Sequence, residues 1–481
     1  MNEISFKDFD LSNEMLKALE KLMYIQPSAV QSRVIPLALK DKDIIVKAET
    51  GSGKTAAFAI PVCEKIMLEE KKPQVLVLTP TRELAVQIKE DFTNIGRFKR
   101  LRCEAVFGKQ PISKQIADLK QRVHIIVGTP GRLFDHIERG TIDLEKIRYL
   151  VIDEADEMLN MGFIDQVEDI VKLVPKNRIT MLFSATISDE IERLCQKYMN
   201  APEEIEVEPS RPSTEKIKQI YYEVEDSKKV KLLKDIIYTE RPDRMIIFCS
   251  TKERVDNVSK YLISKDFSCR ALHGGMEQKD RLDTINRFKE GEFPFLVATD
   301  IAARGLDIEG ITHIINYDIP MEKQSYVHRI GRTGRAGSKG NAITFVTPYE
   351  YRFLNDIEEF VQYKIPRKDE PAHEEVLEGK ALYNEKNNNK PVLKKNREAN
   401  INKEITKIYI NAGKKKKVRA GDIVGAITGI EGINGDDIGI IDIQDGFSYI
   451  DILKNKGNIV INGLRKSTIK GKKVKVQKAE K

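Results

Sequence analysis

The chain has 481 residues, 41% hydrophobic and 32% charged, the composition of a globular protein long enough for about three domains. Its formal net charge is only +7, and no apolar run approaches the ~20 residues of a membrane-spanning helix. The N-terminus MNEISFKDFDLSNEM lacks a basic stretch followed by an apolar core, so no signal peptide is expected. Five scattered cysteines (Cys63, Cys103, Cys195, Cys249 and Cys269) argue against a zinc knuckle or a disulfide partner and fit the reducing cytoplasm.

In chain order, the first expected strand is Ile44–Lys47. It runs into Ala48-Glu49-Thr50-Gly51-Ser52-Gly53-Lys54-Thr55 and then a helical pattern over Ala56–Met67, interrupted at Pro61. Further strands are expected at Val75–Thr79, Ile125–Val127, Tyr149–Ile152 and Thr180–Phe183. A second series follows at Met245–Cys249, Cys269–Leu272, Phe295–Ala298, His313–Asn316 and Ala342–Val346. Short apolar runs separated by helical patterns imply parallel strands buried on both faces, and two series imply two α/β domains. The polar, proline-containing stretch EVEPSRPSTEK near 205–217 marks the break. A polar interval over 366–403 looks like a linker, with helical character around Glu374–Leu382. The remaining segment is uneven in charge: residues 404–481 hold 16 Lys and Arg against 9 Asp and Glu. Such a compact basic end suits a polyanion, although charge alone fits a solubilising tail equally well.

The glycine-containing loop carries the first chemistry. Gly51 and Gly53 permit positive-φ turns that aim successive amides inward, and the following helix N-terminus favours an anion. Lys54 suits the outer phosphates of a nucleotide and Thr55 a magnesium ion. A second strand, Tyr149–Ile152, ends in Asp153-Glu154-Ala155-Asp156, at the edge where open α/β sheets bind ligands. Asp153 suits the magnesium, usually through water, and Glu154 suits the attacking water as general base. A helix start rich in acid explains one carboxylate there, but not a group of them paired with a phosphate loop.

Asp-Glu-Ala-Asp is the signature of the DEAD-box RNA helicases, and the chain resembles that family through motifs in the same order. Tyr24-x-x-Pro27-Ser28-x-x-Gln31, with Phe6 upstream, resembles the adenine-reading Q motif; Tyr24 offers a π face and Gln31 both a donor and an acceptor. Met23 stands where the family usually has Gly. His328-Arg329-Ile330-Gly331-Arg332-Thr333-Gly334-Arg335 resembles the arginine-finger motif, in which Arg332 and Arg335 reach the γ-phosphate with forked donors. Asp307 resembles the ribose contact. Ser184-Ala185-Thr186 resembles the motif that couples the carboxylates to domain closure. The resemblance assigns RNA-backbone contact to Arg82, Thr129, Gly131 and Arg132 in the first domain, and to Thr251, Gly274, Arg281 and Thr299 in the second. Gly108-Lys109 stands where the family often has two glycines. The implied fold is two tandem RecA-like parallel-sheet domains, 1–208 and 209–365. A linker at 366–403 and a small α+β domain at 404–481 would follow.

A βαββαβ pattern in 404–481, with Tyr409, Phe447 and Tyr449 as aromatics, resembles an RNA-recognition motif. Together with the core, the run Lys414-Lys415-Lys416-Lys417-Val418-Arg419 resembles the DbpA subfamily of bacterial helicases. That resemblance implies ATP and Mg2+ as cofactors and a 23S ribosomal RNA hairpin in large-subunit precursors as partner. An ATP-gated RNA clamp would use the same residues, and a DNA helicase shares the core. Glu154→Gln separates the first from an enzyme, and comparing RNA with DNA stimulation separates the second.

Overall fold

The computed structural model describes residues 4–49, 51–207, 217–303, 308, 310–334, 339–388 and 404–479. These fall into two compact units. Residues 4–48, 52–207 and 404–479 form one; 217–388, together with Glu49 and Gly51, form the other. Among the described residues no helix is long and apolar enough to cross a membrane.

The first unit contains β1 (Ile44–Lys47), β2 (Val75–Leu78), β3 (Cys103–Val106), β4 (Ile125–Gly128), β5 (Tyr149–Ile152), β6 (Ile179–Ser184) and β7 (Glu203–Glu206). They form one parallel sheet in the order β3-β4-β2-β5-β6-β1-β7. Alternate residues feed two cores. Val46, Val77, Val127, Val151 and Phe183 face one layer of helices, and Ile45, Leu76, Ile126, Leu150 and Leu182 face the other. Burial on both faces is why these strands read as continuous apolar runs. The helix after β1 spans Lys54–Lys65 without a break at Pro61, which is buried within it. Losing one ladder donor there is outweighed by packing.

The second unit contains β8 (Ile217–Glu223), β9 (Met245–Phe248), β10 (Cys269–Leu272), β11 (Phe295–Ala298), β12 (His313–Asn316) and β13 (Gly340–Val346). They form a parallel sheet in the order β10-β11-β9-β12-β13-β8. Its packing continues into the interval expected as a linker. Tyr221 N donates to Pro366 O, and Lys368 N donates to Tyr221 O. The helix His373–Asn388 then lies against the helix Lys229–Glu240. Its Tyr383 ring stands 5.7 Å from Tyr238 and 5.4 Å from Phe267.

The third sheet, β15-β16-β14-β17, is antiparallel and comprises β14 (Thr406–Ile410), β15 (Ile438–Ile443), β16 (Ser448–Ile452) and β17 (Val476–Lys478). Helices Ala420–Thr428 and Gly457–Lys466 cover the face bearing Ile408, Ile410, Ile450 and Ile452, giving the βαββαβ order.

A Cβ at Gly379 would lie 2.6 Å from the Tyr238 carbonyl oxygen, a backbone atom with little room to yield. Gly379→Val is therefore expected to lift the helix 373–388 from its seat, lowering stability by about 1–3 kcal/mol. Thermal melting and limited proteolysis of the second unit will show it; an unchanged melt would contradict this packing.

Candidate functional site

The candidate nucleotide residues gather at the carboxyl ends of β1, β6 and β5, which are neighbours in the sheet. Gly51 and Gly53 have φ of 82° and 89°, the left-handed conformation the loop requires. A Cβ on Gly53 would stand 2.6 Å from Gln31 Nε2, so this glycine also makes room for the segment that precedes β1. Gln31 Nε2 donates to Gly53 O at 3.2 Å, and its Oε1 accepts from Ser28 N at 2.9 Å. Ser28 Oγ donates to Ser52 O at 2.8 Å. One donor of the Gln31 amide thus braces the loop, and its oxygen closes the N-terminus of the helix Ala29–Leu39. Phe6 is buried and meets the half-buried Tyr24 edge-on at 5.9 Å. Met23, with φ of 59°, adopts the left-handed turn for which glycine is the usual residue.

Lys54 is 7% exposed and donates to Ala48 O at 3.0 Å. Thr55 follows it in the first turn of the helix, and Glu49 is half-buried just after β1. Asp153, 3% exposed, lies directly after β5 and accepts from Glu154 N at 3.0 Å. Burial pushes the Asp153 pKa up to about 7; Lys54 opposes the rise, while Glu154 and Asp156 add to it. Such a carboxylate has a strong electrostatic preference for a nearby cation. Among the described residues no group of three or more His, Cys, Asp or Glu could hold a metal. A magnesium ion carried on phosphates needs no such cage, since one or two protein oxygens suffice.

Asp156 was not singled out from the sequence, yet it links the two strands. Its Oδ2 accepts from Ala185 N at 3.2 Å, Thr186 N at 3.1 Å and Thr186 Oγ1 at 3.3 Å. Its own N–H donates to Ser184 Oγ at 3.2 Å, and that hydroxyl donates to Thr186 O at 2.6 Å. Ser184 and Thr186 are thereby tied to the carboxylate loop. The signal was present as the last letter of the acidic run.

The first-domain RNA candidates gather at the ends of β2, β3 and β4, neighbours at the other side of the same edge. Thr81 Oγ1 caps the helix Arg82–Ile95 through Leu84 N. The Arg82 guanidinium lies 3.6 Å from where a Gly108 Cβ would be. Thr129 is the N-cap of the helix Pro130–Glu138, whose first turn carries exposed Gly131 and half-buried Arg132.

In the second unit, Thr251, Gly274 and Thr299 follow β9, β10 and β11, again three adjacent strands. Thr251 and Gly274 are exposed. Arg281, 6% exposed, is set into the helix Gln278–Lys289 and is not presented with them. The arginine motif begins in the helix Lys323–Ile330. There Arg329 is a structural pin: Nη2 donates to Asp300 Oδ2 at 2.6 Å and Nη1 to Asp318 O at 2.7 Å. Arg332 follows, lining a small cavity with Phe248, Asp300, Ser325 and His328. Thr50, Asp307 and Arg335 lie outside the described residues.

In the C-terminal domain, the lysine run forms a tight turn, Lys414–Lys416, between β14 and the helix Ala420–Thr428. Lys414 N and Lys415 N donate to Gln444 O and Asp445 O of the β15–β16 hairpin at 2.9 and 2.8 Å. A Cβ at Gly413 would come within 2.1 Å of Gln444 O, so glycine is required by close approach. Lys414, Lys415, Lys417 and Arg419 are exposed, whereas Lys416 is half-buried and donates to Asn411 O at 2.7 Å. Tyr409, Phe447 and Tyr449 form a ring cluster with centroids 5.3–5.8 Å apart. On the same sheet, Asp451 and Asp442 pair with Arg97 and Arg102 of the seven-stranded domain at 3.2 and 3.0 Å.

Residues 28–194 match a family described as "DEAD/DEAH box helicase", 228–337 match "Helicase conserved C-terminal domain", and 407–478 match "DbpA RNA binding domain". The chain is 55% identical over 476 residues, 99% of both chains, to a Bacillus subtilis protein named ATP-dependent RNA helicase DbpA. It is 47% identical to the DEAD-box ATP-dependent RNA helicase CshA of Geobacillus kaustophilus, across 78% of this chain and 80% of that one. Among solved structures, S. cerevisiae Dbp5 bound to RNA and ADP BeF3 aligns with TM-score 0.69 and 30% identity, covering 79% of this chain and 99% of its own. Mss116p bound to ssRNA and AMP-PNP aligns with TM-score 0.70 and 28% identity, covering 79% and 82%.

The raised Asp153 pKa has a consequence for stability. The group takes up its proton in the folded state near pH 7 but unfolded near its ordinary 3.8, so the folded chain loses stability as pH rises between these values. In nucleotide-free, chelator-treated protein, Asp153→Asn is expected to raise the melting temperature by roughly 3–8 °C above pH 7. The gain should vanish toward pH 4. A pH-independent difference would show that this carboxylate is not the source.

Proposed function

Because the chain belongs to the DEAD-box family of ATP-dependent RNA helicases, we propose that Lys54, Asp153, Glu154, Arg332 and Arg335 carry out its ATP hydrolysis. We further propose that the C-terminal domain directs it to a 23S ribosomal RNA hairpin in large-subunit precursors in the cytoplasm. The enzyme hydrolyses ATP to ADP and phosphate in an RNA-dependent manner. What carries the catalytic assignment is the adjacency of the three strand ends that hold Lys54, Asp153 and the Asp156–Thr186 connection.

In this reading Phe6, Tyr24 and Gln31 hold the adenine, and Asp307 holds the ribose. The loop Glu49-Thr50-Gly51-Ser52-Gly53 wraps the phosphates with its amides, and Lys54 neutralises the outer ones. Mg2+, when bound, offsets phosphate charge; Thr55 and, through water, Asp153 are the residues that fit it. Glu154 accepts the proton of the attacking water. Arg332 and Arg335 place forked donors on the equatorial oxygens of the transferred phosphoryl group, a contribution of roughly 10³–10⁵ in rate for arginine fingers generally. Ser184 and Thr186 couple the carboxylates to domain closure. Arg82, Thr129, Gly131, Arg132, Thr251, Gly274 and Thr299 hold one RNA strand by its backbone, without reading bases. Closure bends that strand, so a short duplex opens locally.

The basic turn supports the targeting. Lys414, Lys415, Lys417 and Arg419 project from it, with Lys416 beneath, in the segment that matches the DbpA RNA-binding family. Backbone-directed cations position an RNA, and the nearby aromatics offer stacking surface.

Glu154→Gln is expected to retain ATP and RNA binding while turnover falls by about 10²–10⁴. Stimulated ATPase and nucleotide-binding titrations will check it. Near-normal turnover would remove Glu154 from the chemistry. ATPase stimulation across a 23S hairpin fragment, hairpin mutants and unrelated RNA tests the target. Stimulation should be strongest with the intact hairpin, and deleting 404–481 should abolish that preference while sparing basal activity. Equal stimulation by all RNAs in the intact protein would contradict the targeting.

A further inference from the structure

A buried amide behind the first unit's RNA edge has no part in the assignments above. Gln115, 3% exposed, lies in the helix Ile112–Leu119. Its Oε1 accepts from Arg132 Nη1 at 2.9 Å and stands 3.0 Å from His136 Nε2. Its Nε2 donates to Phe107 O at 2.9 Å, the residue before Gly108-Lys109. Arg132 Nη1 also donates to Gln110 O at 3.1 Å. His136 is 0% exposed, with Nδ1 at 2.8 Å from Thr141 Oγ1. Only with a hydrogen on Nε2 does this ring let Gln115 Oε1 accept from both neighbours. One side chain therefore ties the helix that bears Arg132 to the turn that follows β3.

We propose that Gln115 is a positioning residue for RNA: backed by His136, it fixes Arg132 and the Gly108–Lys109 turn in one geometry matched to successive phosphates of a strand. The proposal rests on the reading that Arg132 contacts RNA. Nη1 already has two acceptors within the protein and Nε lies 3.7 Å from Asp135 Oδ2, which leaves the Nη2 hydrogens for phosphate on a guanidinium held from two sides. A guanidinium held in place before binding loses less rotamer freedom when RNA arrives. Because Gln115 is buried, it acts through its neighbours and touches no RNA itself.

The test uses the full chain and RNA-stimulated ATPase titrated with unstructured poly-uridine RNA at several salt concentrations. Gln115→Met keeps the linear shape and removes every hydrogen bond. It is expected to raise the apparent KM for RNA about 10-fold and to flatten the log–log salt dependence by roughly 0.7, the loss of one phosphate contact on a single strand. kcat at saturating RNA and KM for ATP should stay within about twofold. Gln115→Glu, which restores an acceptor for Arg132 and His136 but no donor for Phe107 O, should recover only part of the RNA affinity. A merely structural role would lower the melting temperature and kcat without moving the salt slope. An unchanged RNA KM in Gln115→Met, or a loss confined to kcat, overturns the proposal. If that variant melts below the assay temperature, His136→Gln takes its place, with an expected rise of about threefold in the RNA KM; no rise there overturns the proposal equally. Arg132→Ala separates the two layers. Unaltered RNA affinity there removes Arg132 from the RNA, whereas weakened binding beside an unaffected Gln115→Met leaves only the positioning role refuted.

Discussion

In a parallel sheet every strand delivers its carboxyl end to the same edge, and the loops that follow are thrown together whatever their separation in sequence. Both large sheets here obey that constraint, and the candidate chemistry of the core depends on it. In the first, β5, β6 and β1 bring Asp153, Ser184 and Lys54 side by side. In the same sheet, β3, β4 and β2 line up Gly108, Arg132 and Arg82. The second sheet repeats the latter arrangement with β10, β11 and β9, which present Gly274, Thr299 and Thr251. Strand order alone sets the candidate nucleotide residues and the candidate RNA residues at two ends of one edge.

Neighbouring loops must also respond to one another. The Asp156 carboxylate serves this purpose by accepting from two backbone amides and a hydroxyl of the segment after β6. Charge-assisted bonds of this kind are shorter-ranged and more directional than the Coulomb attraction between Lys54 and Asp153. The candidate site therefore combines a soft electrostatic part, Lys54 and Asp153, with a stiff hydrogen-bonded part around Asp156. In the second unit Arg329 has the stiff role, pinning the arginine motif to Asp300 and to the end of β12.

Interior strands were legible because burial on both faces leaves them unbroken apolar runs. Ile44–Lys47, Tyr149–Ile152, Phe295–Ala298 and His313–Asn316 have the same bounds in sequence and structure, as does Cys269–Leu272 at a sheet edge. The strands that were not read from the sequence, Cys103–Val106, Glu203–Glu206 and Ile217–Glu223, all lie at sheet edges. Cys103–Val106 is half-exposed at its two middle residues, and Glu203–Glu206 buries only Ile205. Ile217–Glu223 abuts the polar stretch that marks the domain break. The motifs of the candidate site were legible because each is a contiguous phrase, most of them at a strand end. Gln115 was not, since its importance arises from residues 107, 110, 132 and 136 meeting in space. Met23 was visible as a departure from the family's glycine, and its positive φ gives the reason glycine suits that place.

Glu154 holds a left-handed backbone, φ 52° and ψ 54°, at the start of the helix Ala155–Asn160. For a residue with a side chain that conformation costs roughly 1–2 kcal/mol, a cost glycine would largely escape. The same carboxylate is the proposed acceptor of the water proton, so selection for a more robust fold and selection for turnover pull against each other at a single codon. A library screened only for heat resistance would drift toward glycine there and lose the catalyst, whereas one screened for activity would preserve the distortion.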